Sequence, residues 1–319
     1  MRPPDGSKRG KSMDRSSVDW QGYIPAITTP FDAHGNFEKT QLSVLIEWLV
    51  AEGMHGIIVA GTTGEWFSMT PKERASLFRI AGQTVKGKIP VIAGCNAFTA
   101  AEAIAHADAA KDAGLSGILL TPPPYIIPSE REILAFYEDV DRNTDLPICV
   151  YNWPPGTNVD MGKELLQRLA ELDHVVAIKN ATASASPESF IDVLELLADS
   201  VRVFGVTTDE FGARMMLEHN AAGLMGAGAV LGRTHPEFFN ALWRGDMDEA
   251  IHQGNRDRVI MSEWFNADYT AKFGSAQAVF KSALNIQNLP GGYPRRPILP
   301  LQSDEEEFLR GTLHTLKYV

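Results

Sequence analysis

A (β/α)8 TIM barrel carrying a C-terminal helical extension is the α/β fold that this sequence predicts, and three observations predict it. Short apolar runs recur eight times at a spacing of about 30 residues, the length of a βα unit. The runs are mostly apolar throughout rather than alternating, as parallel strands buried on both faces are. Amphipathic stretches with helix-capping signals lie between them. A doubly wound sheet shares this repeat, but no dinucleotide fingerprint accompanies the strands, and eight strands each followed by a helix favour closure.

Taken in order, residues 1–20 are rich in Pro, Gly, Ser and basic side chains, precede any apolar run, and read as a disordered tail. The strands follow as YIPAITT from Tyr23, GIIVAG from Gly56, IPVIAG from Ile89 and GILLTP from Gly117. LPICVYN from Leu146, VVAIK from Val175, VRVFGV from Val201 and AGLMGAG from Ala222 complete the set. Between them, TPKERASLFRIAGQTV opens with Thr70 as N-cap, Pro71 at the first helical position and Glu73 closing a capping box. Ser129 and the Ser186–Pro187 pair open two further helices in the same way. The barrel core therefore spans residues 21–233. From residue 234 to 319 the strands stop and only helical patterns remain, the last opened by a capping box of Ser303 with Glu306. The acidic run Asp304–Glu307 complements the dipole of that helix. LPGGYPRRPILPL, between the last two helices, reads as a rigid surface connection.

Composition bounds the function. An apolar content of 44% and a charged content of 22% over 319 residues belong to a globular chain with a sizeable core. The net charge of −11 argues against nucleic-acid or anionic-membrane partners, which need basic patches. No apolar run reaches a membrane span and no secretory segment opens the chain, so a cytoplasmic location is expected. Cys95 and Cys149 both sit in strand-like segments and read as core thiols of a reducing compartment. The eight histidines show no ligand spacing and there is no Cys-x-x-Cys, so no metal site is expected.

Active sites of such barrels lie at the C-terminal strand ends. Those ends carry Gly61-Thr62-Thr63-Gly64-Glu65, Thr121 with Tyr125, Tyr151-Asn152, Lys179, and Thr207 to Glu210. The first lacks the lysine of a phosphate loop; its hydroxyls and amides suit a carboxylate, or it is simply a tight βα turn. Lys179 ends a run of Val, Val, Ala and Ile. A lysine so placed either snorkels to water or loses solvation of its charge and becomes a nucleophile.

Taken together, the GTTGE turn, Tyr151-Asn152-x-Pro154 and a lysine at the end of the sixth strand resemble the dihydrodipicolinate synthase / N-acetylneuraminate lyase family, from about Gly22 to the C-terminus. The resemblance implies a Schiff base between Lys179 and the ketone of a 2-oxo acid, with no other cofactor. It implies that Thr62 and Thr63 hold the carboxylate, that Tyr151 shuttles protons, and that Thr62 links it to Tyr125. In the family the second tyrosine often comes from a neighbouring subunit, which implies a homotetramer; TPPPYII departs here from the usual paired tyrosines. Gly61, Met225, Asp209 and Glu210 complete the expected substrate-binding set.

The sequence departs from lysine-pathway synthases at Gly156, where they carry an arginine that grips a second carboxylate. A basic residue such as Arg233 is the alternative anchor. Asp209 and Glu210 stand where sialate lyases hold sugar hydroxyls, or else are first-turn acids of a helix. Ala181 replaces the lyases' threonine, and Trp153 stands to narrow the pocket. The expected reaction is retro-aldol cleavage or dehydration of a 2-keto-3-deoxy sugar acid, with pyruvate as product or partner. A dihydrodipicolinate synthase with a relocated anchor is the enzymatic alternative, and a non-catalytic 2-oxo-acid sensor the other.

Overall fold

The computed structural model describes residues 12–181 and 187–319. Its eight strands are β1 (Gly22–Tyr23), β2 (Ile57–Val59), β3 (Val91–Gly94), β4 (Gly117–Leu120), β5 (Ile148–Asn152), β6 (Val175–Asn180), β7 (Arg202–Phe204) and β8 (Gly223–Leu224). All pair in parallel, in the order β1-β8-β7-β6-β5-β4-β3-β2. The two ends of that order meet: Ala26 bridges Ile58, and the amides of Ile27 and Ile58 donate to the carbonyls of Ile58 and Pro25. The predicted barrel is therefore closed.

Around the strands run α1 (Lys39–Ala51), α2 (Pro71–Val85), α3 (Ala100–Asp112) and α4 (Glu130–Asp141). A single turn α5 (Pro154–Thr157) precedes α6 (Lys163–Ala170), and α7 (Pro187–Leu197), α8 (Glu210–Glu218) and α9 (Thr234–Trp243) follow. The Thr70 and Ser129 caps form as read, their amides donating to Glu73 at 2.9 Å and Glu132 at 2.7 Å. The Ser186 cap and residues 1–11 of the expected tail lie outside the described residues. Helix α9 lays His235 and Phe239 against Tyr23 of β1, with ring centroids 4.7 and 6.5 Å apart. It is thus the eighth helix of the ring, so the boundary read at residue 234 falls inside the barrel. The extension proper is α10 (Met247–Trp264), α11 (Ala276–Ile286) and α12 (Ser303–Thr315). The cap of α12 falls one residue early, on Gln302 with Glu305 at 2.7 Å, because Glu306 instead accepts from Ser282 and ties α12 to α11.

The core has two layers, and their division explains why the strands look uniformly apolar. Tyr23, Ile57, Val59, Ile118, Val150 and Val203 pack outward under the helices. Ile24, Ile58, Ile92, Leu119, Cys149 and Phe204 fill the barrel interior. In β6 the alternation breaks. Val175 packs outward, but Val176 and Ala177 both belong to the interior, where the register against β5 shifts by one residue. This β-bulge resets the parity of the rest of the strand, turning Ile178 outward.

Residues 12–20 depart from the expected disorder. Met13 and Arg15 donate their amides to Asp173 and Ser200, and Arg202 of β7 donates to the carbonyls of Arg15 and Val18. Trp20, 1% exposed, joins the interior cluster as its floor. Gly117 at the start of β4 makes room for it, since a Cβ there would lie 2.5 Å from the indole. An apolar plug supplies the burial that a polar tail cannot. Among the described residues no helix is long and apolar enough to cross a membrane. Trp20→Ala should open the floor and cost about 3–5 kcal/mol, as large-to-small core changes do. A urea midpoint lowered at unchanged slope would show it.

Candidate active site

The bulge in β6 decides the fate of Lys179. Two residues beyond the inward-facing Ala177, Lys179 faces the barrel interior and is 7% exposed. It pairs in register with Tyr151 of β5, and its Nζ lies 4.1 Å from the centre of the Tyr151 ring. Burial strips water from the ammonium and pulls its pKa down to about 8, with the neighbouring Cys149 opposing the shift. The free amine is therefore accessible near neutral pH, as a nucleophile requires. Both cysteines are buried and free, with their thiols pushed up to about 12 by burial.

Tyr151 is held from its other side. Its ring stacks on Trp153 with centroids 6.0 Å apart and planes 14° from parallel. Burial raises the phenol well above its usual range, so it is a proton donor at rest. The next residue, Asn152, fixes the strand end: its amide donates to Asp160 at 3.0 Å and to Asn180 at 3.0 Å, and it accepts from the Met161 amide at 3.0 Å. Asn152 and Asn180 are register partners, so this bond locks together the two strand ends that carry Tyr151 and Lys179. Trp153 in turn lies on Gly156 in α5. A Cβ built on Gly156 would be 2.0 Å from the indole, so this tryptophan and any side chain at 156 exclude one another.

The Gly61–Glu65 turn follows β2. The amide of Glu65 donates to Thr62 at 3.1 Å, Thr29 donates its hydroxyl to the Gly64 carbonyl at 2.8 Å, and Glu65 adopts a left-handed φ of 57°. Among the described residues the turn's own bonds leave the Thr62 and Thr63 amides unspent. Thr63 is buried, and Thr62 lines a cleft of about 770 Å³ shared with Thr121, Trp153, Gly156, Thr157 and Gln277. No charged side chain is among the described residues lining it.

The remaining expected residues differ in where they fall. Tyr125 borders the cleft mouth but is 88% exposed, on backbone with φ 82°. Met225 lies in the barrel interior, its sulfur 3.8 Å from that of Cys149. Asp209 caps α8, accepting from Gly212 at 3.0 Å and from Thr207, and pairs with Arg258; Glu210 is exposed beside it. Asp209 is thus the N-cap of α8 and Glu210 an acid of its first turn. Arg233 is committed to Glu52 at 3.2 Å and supplies no anchor in the cleft. Asn152, Asn180 and Gln277 went unassigned in the sequence; only the neighbourhood of Asn152 to Tyr151 pointed to any of them.

Comparison with known proteins places this geometry among relatives. Residues 19–316 match the Dihydrodipicolinate synthetase family. An uncharacterised DapA-like lyase of Rhizobium meliloti is 31% identical over 94% of this chain and 97% of its own. A 4-hydroxy-tetrahydrodipicolinate synthase of Oceanobacillus iheyensis is 30% identical over 92% and 97% of the two chains. The crystal structure of a dihydrodipicolinate synthase of Acinetobacter baumannii complexed with pyruvate superposes with a TM-score of 0.83, at 27% identity, over 94% of this chain and all of that one. If Lys179 is the reacting amine, adduct formation with pyruvate should rise with pH and level off above about 8, where the amine is free. Borohydride quenching across pH reads this; a rate still climbing at about pH 10 would indicate an ordinary lysine.

Proposed function

Because this chain belongs to the dihydrodipicolinate synthetase family, whose members are class I aldolase-type lyases working through a lysine Schiff base, we propose that Lys179 is its nucleophile. The substrate proposed is a 2-keto-3-deoxy sugar acid, with cleavage or dehydration as the reaction. The amine adds to C2, and the carbinolamine loses water to leave a protonated imine. In cleavage the C4 hydroxyl gives up its proton, the C3–C4 bond breaks, and its electron pair moves into the imine as an enamine. The enamine takes a proton at C3, and water hydrolyses the imine to release pyruvate beside the aldehyde. In dehydration a proton leaves C3 and hydroxide leaves C4 instead. Tyr151, protonated at rest and stacked beside the amine, carries protons to the departing water and from the substrate oxygen. The amides and hydroxyls of Thr62 and Thr63 hold the carboxylate.

The observation that carries the substrate class is Gly156 beneath Trp153. A synthase of the lysine pathway needs a cation here for a second carboxylate, and such a bidentate anchor is a strong, charge-assisted contact. The indole fills that place. With it, Thr121 and Asn158 offer neutral hydrogen-bonding groups that suit hydroxyls. The relatives named as synthases favour the second reading, dihydrodipicolinate synthesis with a different anchor; the indole standing over Gly156 speaks against it. Tyr125, projecting from the cleft mouth, is proposed to complete the site of a neighbouring copy in a homotetramer.

A panel of 2-keto-3-deoxy acids followed for pyruvate release tests the reaction, with borohydride trapping to locate the adduct. Trapping should map to Lys179 and vanish in Lys179→Ala. Tyr151→Phe should still trap while losing roughly a hundredfold or more in kcat, the scale of a positioned acid–base group. An adduct on another residue would remove the nucleophile assignment. Light scattering should report a tetramer, and a fully active monomer would remove Tyr125 from the site.

A further inference from the structure

The Gly61–Glu65 turn is held from a direction the barrel itself does not supply. Glu65 is fully buried, and its partner is Lys281 of α11, itself 1% exposed, in direct ion-pair contact. The second oxygen of Glu65 accepts the Arg295 amide at 2.8 Å. Lys281 also donates to the Tyr293 carbonyl at 2.8 Å and sits 4.6 Å from the centre of the Phe31 ring. One helical turn before Lys281, Gln277 donates to the Thr62 carbonyl at 3.1 Å. Residues four apart share a face of a helix, so α11 grips both ends of the turn, Thr62 with one side chain and Glu65 with the next. Arg295 closes the arrangement from the connection before α12, donating to Ser68 at 2.7 Å and to Glu73 at 2.8 Å. That connection is therefore part of the site's support rather than a surface strap.

A buried ion pair is weak evidence for stability, because desolvation offsets most of the attraction; fixing one arrangement among several is its better-attested use. The turn needs such fixing. Glu65 holds a left-handed backbone without being glycine, and the amides of Thr62 and Thr63 must point together at one place. We propose that Gln277, Lys281 and Glu65 are positioning residues that aim the Thr62–Thr63 amides at the carboxylate of the 2-oxo acid, so that the C-terminal extension sets affinity for that group. The inference rests on the reading of Lys179 as the Schiff-base lysine.

Saturation of borohydride trapping by pyruvate tests it. In Gln277→Ala, and in the charge-free double variant Glu65→Gln with Lys281→Met, half-saturation should move up about tenfold or more, while the adduct reached at saturation stays on Lys179 at wild-type yield. Methyl pyruvate, which has no carboxylate to hold, should trap with nearly the same half-saturation in wild type and variants. Wild-type half-saturation for pyruvate in both folded variants, with circular dichroism unchanged, would overturn the positioning role. So would equal losses for pyruvate and its ester, or loss of fold in every variant, since either makes the contacts merely structural. Failure of the wild-type protein itself to trap on Lys179 would instead sink the Schiff-base reading, and this inference with it.

Discussion

The cost of keeping an ammonium out of water is the constraint on which the site is built. A lysine at a strand end ordinarily extends to solvent, and nothing in the amine itself prevents that here. What prevents it is placement inside a closed ring of apolar side chains, with the Tyr151 ring over the nitrogen and Trp153 over that ring. Desolvation then lowers the pKa, and the same dry surroundings keep the tyrosine protonated. One environment thus prepares both partners in opposite senses, a free base beside a retained acid, which is the division of labour that imine chemistry requires.

Around that centre the chain distributes its polar work. Asn152 and Asn180 tie β5 to β6 where Tyr151 and Lys179 emerge. Helix α11 reaches the Gly61–Glu65 turn from outside the barrel. One wall of the cleft is an indole packed on a glycine, so an aromatic face stands where a side chain at 156 would project. The division between barrel and extension is consequently one of topology only; the site uses both.

Much of this was legible in the sequence. Strand spacing revealed the barrel because each βα unit must bury its own apolar face, and the strand-end rule then gathered Lys179, Tyr151, Thr62 and Thr63 on one rim. Four matters were illegible, for physical reasons. Residues 12–20 read as a tail because their composition is polar, yet Trp20, with Met13 and Val18 packed against the same cluster, plugs the floor. Asp209 looks the same in sequence whether it binds a hydroxyl or caps a helix, and only its hydrogen bonds separate the two. Gln277 and Lys281 lie more than two hundred residues from the turn they hold, beyond any local pattern. And which way Lys179 points cannot be read from a strand that is apolar on both faces.

That last point carries a consequence. The inward aim of Lys179 follows from the extra residue at Val176, not from the identity of any side chain around it. The segment from Val175 to Ile178 therefore holds one residue more than a flat ladder against β5 would take, and the bulge absorbs it between two inward-facing side chains. Losing either Val176 or Ala177 would leave a plain alternating strand with Lys179 still opposite Tyr151, whereas flattening the bulge with both residues kept would swap inside for outside and deliver the amine to the helix layer.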